Sequence, residues 1–259
     1  METKFIIFEE VAAAIPLKEG DCALVASDIT RLCDQFTKSE TLQGLSYLID
    51  LLQKKVGTEG TLLFPTYNWG FCRGIPFDYH KTRSKTGALS QVALKRKDFM
   101  RTRHPIYSFA VWGKDSEKLL NMDDSNAFKG DTPFCYLHEN NGKMIMIDVL
   151  PSDSFTFAHY VEECCDVNYR FKKNFTSTYI DRDNHESKRM YSMFVRFLDE
   201  RSVETNPVIN TWLAEQRVMN TKTVRDIRVQ YLNFCEAYEL IENDIKKDNS
   251  RHLILRNNG

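Results

Sequence analysis

Two apolar runs, Cys22 to Ala26 and Thr61-Leu62-Leu63-Phe64, are separated by a stretch in which Leu42, Leu45, Ile49 and Leu52 recur at helical spacing. Ser39 is placed to cap that helix, and Gly57 and Gly60 stop it before the second run. Buried strands joined by an amphipathic helix of this length read as a crossover unit, because parallel neighbours need a long connection whereas antiparallel ones close with a short turn. The fold class is therefore α/β, with a mixed, partly parallel central sheet flanked by helices. At 259 residues the chain suits one elaborated domain spanning 1–259, of which 176–259 reads as a C-terminal extension of the same unit.

Other segments follow the same logic. Residues 5–16 predict an opening helix, and 67–83, with Trp69, Gly70, Phe71, Gly74, Pro76 and Tyr79 but no steady period, predict an ordered aromatic loop of the kind that lines binding sites. Ser84 is placed to cap a helix running through Gly87 to Leu94, and Pro105 forces His104 into an extended conformation before the apolar run Ile106 to Trp112. Lys143 to Val149 predicts a buried strand, followed by Pro151-Ser152-Asp153-Ser154 and a helix starting near Phe155. The charged stretch 181–190 reads as a hairpin tip or surface loop; helices are expected at 207–216 and 236–247, with an extended segment at 223–231.

Lysine plus arginine number 35 against 36 acidic residues, a net charge of -1, so no global field recruits a polyanion and nucleic acid is not an expected partner. The N-terminal residues lack the apolar core of a secretion signal and any span-length run, which predicts no membrane insertion and a cytoplasmic location. The seven cysteines are odd in number and scattered, without a CxxC pair or a close His/Cys set, so they are read as reduced, with no metal.

Glu162 lies three residues after His159, so on a helix the two share a face, and Asp153 is near in sequence. A histidine whose second nitrogen is held by a carboxylate can take a proton from a nucleophile, although the same spacing also suits a packed histidine beside solvated Glu162 and Glu163. His104 divides likewise between a local hydrogen bond and a role at a site. Cys164-Cys165 suits helix packing better than nucleophilic chemistry. Ser84-Lys85-Thr86-Gly87 opens a helix whose free N–H groups could receive an anion or a carbonyl oxygen, while the absence of GxGxxG and GxxxxGK[ST] weakens dehydrogenase and kinase readings.

Taken in order, GTLLFPTY (60–67), Ser84-Lys85-Thr86-Gly87-Ala88-Leu89, RTRHPIYSFAVWG (101–113), NAFKGDTPF (126–134) and DSFTFAHYVEE (153–163) resemble the motifs of the aminoglycoside 3-N-acetyltransferase family, with a looser match in the C-terminal third. The resemblance implies acetyl transfer from acetyl-coenzyme A, as cosubstrate, to an amine on a sugar or aminocyclitol. It makes His159 the catalytic histidine, with Asp153 or Glu162 orienting it and His104 supporting the reacting centre. It places Ser27, Thr66, Ser84, Lys85, Thr86, Gly87 and Ser108 along the coenzyme, with Arg31, Lys85, Arg101 or Arg103 as candidates for its phosphates. The chain departs from the family pattern at Asp28 to Arg31 and at Asp148. Ser27-Asp28, Tyr160, Tyr169-Arg170 and Lys172 look more like the branch acting on amino sugars of surface polysaccharides, which suggests a nucleotide-linked amino-sugar acceptor. An aminoglycoside acceptor, a silent ligand-binding relative and a Cys–His hydrolase are the alternatives; a homodimer is compatible with each.

Overall fold

The computed structural model describes residues 5–122, 125–199 and 203–256. The first half of the chain forms α1 (Ile6–Ala14), β1 (Cys22–Ser27), α2 (Lys38–Val56), β2 (Thr61–Pro65), β3 (Phe77–Asp78), α3 (Ala88–Lys95), β4 (Met100–Arg101), β5 (Phe109–Gly113), α4 (Ser116–Asn121) and α5 (Pro133–Glu139). The second half forms β6 (Lys143–Ile147), α6 (Pro151–Ser154), α7 (Phe157–Cys164), β7 (Arg170–Ile180), β8 (Glu186–Arg196), β9 (Val203–Thr205), α8 (Ile209–Glu215), β10 (Met219–Val224), β11 (Ile227–Asn233), α9 (Phe234–Asp248) and β12 (Ile254–Arg256).

The apolar run at 22–26 is buried because β1 lies inside a seven-stranded sheet ordered β10-β11-β6-β1-β2-β5-β4. It runs parallel to β2 on one side and β6 on the other, and the remaining neighbours are antiparallel. Alternation along β1 sends Cys22, Leu24 and Ala26 into one core and Ala23 and Val25 into the other. The second core is closed by Phe8 and Val11 of α1, Leu45, Leu48 and Leu52 of α2, and Leu89 of α3; the first by Leu137 of α5, Val161 of α7 and Ile241 of α9. The predicted α/β class with a mixed sheet between helical layers is what forms.

Several boundaries differ from the sequence expectation. Helix α2 is capped by Thr37 rather than Ser39, because Glu40 completes a reciprocal box: its backbone N–H donates to Thr37 Oγ1 at 3.4 Å and its carboxylate accepts from the Thr37 N–H at 2.9 Å. The helix expected from near Phe155 starts at Phe157 as α7, and the Pro151–Ser154 segment before it forms its own short helix α6. The aromatic loop carries a 3-10 turn at Phe71–Arg73 and the short β3. The charged stretch is only partly a tip: Asp181 Oδ1 accepts the Asp183 and His185 N–H groups at 3.0 and 2.9 Å to close the turn, and Glu186 already begins β8. The segment 223–231 bends at Arg225, with φ at 55°, so that β10 and β11 form a hairpin docked on β6. The C-terminal third thus contributes two strands to the central sheet. All seven cysteines are free, and among the described residues no helix is long and apolar enough to cross a membrane.

Candidate active site

Strands β1, β2 and β6 are mutually aligned, so their carboxyl ends, at Ser27, Pro65 and Ile147, open on one edge of the sheet, the usual place for a ligand crevice in such folds. A cavity of about 260 Å³ lies there, lined by Ser27, Tyr67, Trp69, Lys85, Thr86 and Asp153 among others. Asp153, Ser154 and Thr156 also line a second cavity of about 120 Å³, bordered by His159, Glu162 and Arg170 and walled by Thr205, Ile209, Leu253 and Ile254.

His159 and Glu162 project from one face of α7, and His159 Nδ1 lies 2.7 Å from Glu162 Oε2. The Glu162 side chain is only 2 % exposed, is ion-paired with Arg170 Nε at 2.8 Å, and accepts a hydrogen bond from Tyr169 Oη at 3.0 Å. Burial alone would raise its pKa, but Arg170, His159 and Tyr169 outweigh that and hold the carboxyl below its ordinary value. For His159, burial and then the Arg170 charge lower the pKa, with Glu162 opposing, and the net shift is downward. The imidazole is thus neutral near pH 7. Since a carboxylate only accepts, Nδ1 carries the proton and Nε2 keeps its lone pair. The edge of the histidine ring packs against Phe128 at 5.6 Å between centroids.

Glu162, rather than Asp153, therefore orients His159. Asp153, on α6, is exposed at the junction of the two cavities and makes no side-chain hydrogen bond or ion pair with the described residues. Glu163 is buried rather than solvated: it accepts from Asn126 Nδ2 at 2.7 Å and the Lys129 N–H at 3.2 Å, fixing the loop that delivers Phe128 against His159.

The structure does not bring His104 to this centre. Its Nδ1 accepts the Tyr107 and Ile106 N–H groups at 3.0 and 3.3 Å, the ring packs on Tyr191, and burial pushes its pKa down to about 3. The local hydrogen bond expected of the His-Pro motif is formed: the ring serves the turn that follows it and borders a separate small cavity. Thr66 and Ser108 are fully buried, with hydroxyls 2.9 Å apart, and Arg101 Nε donates to Ser108 Oγ at 3.0 Å. Arg101 also donates to Thr82 O at 2.6 Å and covers the Phe77 ring, so this trio braces the sheet edge and Arg101 is withdrawn from any phosphate. Arg31 is paired by both its Nε, at 2.7 Å, and a terminal nitrogen with Asp148, whose φ is 57°; the two departures from the family pattern are thus partners.

The Ser84–Gly87 segment does border the larger cavity. Thr86 Oγ1 donates to Pro65 O, Ser84 Oγ lies 3.0 Å from Thr86 Oγ1, and Gly87, not Ser84, caps α3. Gly87 has φ at 95°, and a Cβ there would stand 3.0 Å from Ser27 O, so a side chain would strain the backbone and close the gap. Ser27 Oγ is buried without a hydrogen-bond partner among the described residues, beside this cradle. Arg73 and Arg83 line, with Lys85, an adjoining cavity. Tyr169 and Arg170 are the functional neighbours whose role no spacing signals, because their partner Glu162 is reached through the fold.

The family profile described as aminoglycoside 3-N-acetyltransferase matches residues 36–245. Among solved structures the chain is similar to AAC-IIIb in binary complex with CoASH, with 18% identity, 93% of this chain and 95% of that chain covered and a TM-score of 0.75. It is similar to sisomicin-bound AAC-VIa, with 16% identity, coverage of 93% and 98% and a TM-score of 0.76. It is also similar to the YokD protein from Bacillus subtilis, with 17% identity, coverage of 92% and 98% and a TM-score of 0.72. No curated protein matches the sequence. At such identities the structures establish the fold, and the profile, spanning well over half of the chain, establishes the lineage: the chain belongs to the aminoglycoside 3-N-acetyltransferase family.

Proposed function

We propose that this enzyme acetylates the amine of a nucleotide-linked amino sugar, with His159 as general base and Glu162 as the group that orients it. Family membership makes the chain an acetyl-coenzyme A-dependent N-acetyltransferase. The observation that carries the rest is the neutral imidazole at the cavity wall, its Nδ1–H held at 2.7 Å by a buried carboxylate.

The residues present suit the coenzyme. The orphaned Ser27 hydroxyl and the backbone cradle at Gly87 leave polar groups for a thioester or amide oxygen, and Tyr67 and Trp69 offer walls for a slender pantetheine arm. Lys85, Arg73 and Arg83, exposed and without side-chain partners among the described residues, suit its phosphates. Bound acetyl-coenzyme A supplies an electrophilic carbonyl. An amine attacks only as the free base, so Asp153 holds the acceptor as it enters as an ammonium, His159 Nε2 takes the proton from its nitrogen, and Glu162 stabilises the imidazolium; as the C–N bond forms and the C–S bond breaks, the imidazolium returns that proton to the departing thiolate. Ile209, Leu253 and Ile254 limit water on the acceptor side.

Charge around the cavities supports the acceptor. Glu162 is neutralised by Arg170, and Lys85 lines the same cavity as Asp153, so among the described residues the lining offers one carboxylate without a partner, matching one ammonium on an otherwise anionic molecule better than a polycation. An aminoglycoside acceptor is the second reading, favoured by the family itself. The test is thiol release from acetyl-coenzyme A by the wild type and His159→Ala, across nucleotide-linked amino sugars and aminoglycosides. Turnover of a nucleotide-linked sugar that is lost in the variant supports the proposal; turnover of aminoglycosides alone selects the second reading, and a fully active His159→Ala removes the base.

A further inference from the structure

One oxygen of Glu162 serves His159 and Arg170, and the other accepts from Tyr169 Oη at 3.0 Å. The phenol has a single proton and the carboxylate has none, so that proton goes to Glu162. The phenol oxygen is left to accept, and Ser250 Oγ lies 3.1 Å away, 81 residues further along the chain.

Ser250 belongs to a C-terminal segment held in an unusual shape. Asn249 and Ser250 have φ of 57° and 62°, a left-handed pair with no glycine. Around it, the Ser250 N–H donates to Asp244 O at 3.0 Å, and buried Asp244 takes His252 Nδ1 at 2.6 Å and the His252 N–H at 3.2 Å. The His252 ring stacks on Trp212 at 4.6 Å between centroids, and β12 pairs with β9. The Leu253 and Ile254 N–H groups both donate to Ser250 O at 3.0 Å, and these two side chains wall the His159 cavity. A strained turn held this firmly is over-determined by its surroundings, the condition under which such strain persists at working sites.

We propose that the C-terminal segment 249–256 is a positioning device for the base: through Ser250 and Tyr169 it fixes the Glu162 carboxylate and hence the orientation of His159. Tyr169 and Ser250 are positioning residues, and the inference rests on His159 as the base. The charged and titratable groups facing His159 are Glu162 and Tyr169, Arg170 from β7, and Asp153 from α6 across the cavity. Removing the phenol proton from Glu162 leaves a less satisfied, more basic carboxylate, which favours the imidazolium.

The experiment is a histidine NMR titration of the free protein, with steady-state kinetics, for wild type, Tyr169→Phe and Ser250→Ala. In Tyr169→Phe the His159 midpoint should rise by about one pH unit, with the acid limb of kcat/KM, and kcat should fall roughly tenfold at unchanged KM for acetyl-coenzyme A. Ser250→Ala should move the midpoint in the same direction by less, since the phenol remains but donates more weakly. A His159 titration unchanged in both variants, whatever their melting temperatures, overturns the proposal. That outcome is separate from failure of the base assignment, which would appear as activity in His159→Ala while the titration shift persists.

Discussion

Replacing Glu162 by glutamine keeps the shape of the side chain and removes its charge. His159 then loses a charge-assisted partner at 2.7 Å, and Arg170, with its side chain 11 % exposed, loses its counter-ion. A hydrogen bond to a charged group contributes about 1.5–3 kcal/mol, and the upper end applies to a side chain only 2 % exposed. If that interaction is made mainly with the imidazolium, about 3 kcal/mol lost from the transition state corresponds to roughly a 100-fold drop in kcat. The unopposed Arg170 also drives the histidine pKa further down, so the acid limb of the pH profile should move to lower pH while the plateau falls. Stability should fall as well, since an unpaired buried charge costs about 3 kcal/mol, or roughly 6–12 °C in Tm for a chain of this size. The double variant Glu162→Gln with Arg170→Met separates the two effects: it should recover much of the melting temperature and little of the rate. Calorimetry and thiol-release kinetics on the wild type and the two variants make the measurement, and a Glu162→Gln enzyme within about threefold of wild-type kcat across the pH range would refute the reasoning.

Asp153→Asn should raise KM for the acceptor by about tenfold, the worth of one partly exposed charge pair, while leaving KM for acetyl-coenzyme A unchanged in the same thiol-release assay. Gly87→Ala, forced into a φ of 95° and against Ser27 O, should cost about 1–2 kcal/mol of stability and weaken coenzyme binding, read by calorimetric titration with coenzyme A. His104 is neutral when folded, with a pKa of about 3, and protonates near 6.5 when unfolded, so its contribution is complete above about 6.5 and is lost as pH falls toward 3. Stability should therefore drop by about 2 kcal/mol between pH 6.5 and 5 from this residue, and His104→Asn should flatten that slope in denaturant titrations while retaining activity at pH 7. If His104→Asn abolishes turnover without unfolding, the framework role is wrong.

Much of the fold was legible because it rests on local signals. The run from Cys22 to Phe64 announces a parallel crossover through burial and helical period, and the His159–Glu162 pair is legible because three residues on a helix place two side chains on one face. The β7–β8 hairpin was not legible beyond its tip: its strands are largely solvent-facing, so charged and polar residues interrupt the alternation that marks a strand. Sequence proximity left the partner of His159 open between Asp153 and Glu162, because only the fold shows that Asp153 faces the junction of the cavities while Glu162 meets the ring. The mutual hydrogen bonds of Thr66, Ser108 and Arg101 were not legible either, because they join the end of β2, β4 and the start of β5 across the sheet edge.

That His159 transfers a proton is what the resemblance of the ordered motifs implies; the residues alone settled the α/β class, the apolar strand runs and the sharing of one helix face by His159 and Glu162. Each of these depends on residues within one helix, one strand or one turn of each other. The packed fold brought Glu162 rather than Asp153 to His159, gave the His104 ring its local N–H donors, set Arg31 against Asp148 and joined Tyr169 to Ser250. Those pairings span up to 117 residues and depend on which strand ends share an edge and which side chains lose their water there. Burial sets the protonation and partner of each group, and burial is a property of the packed whole.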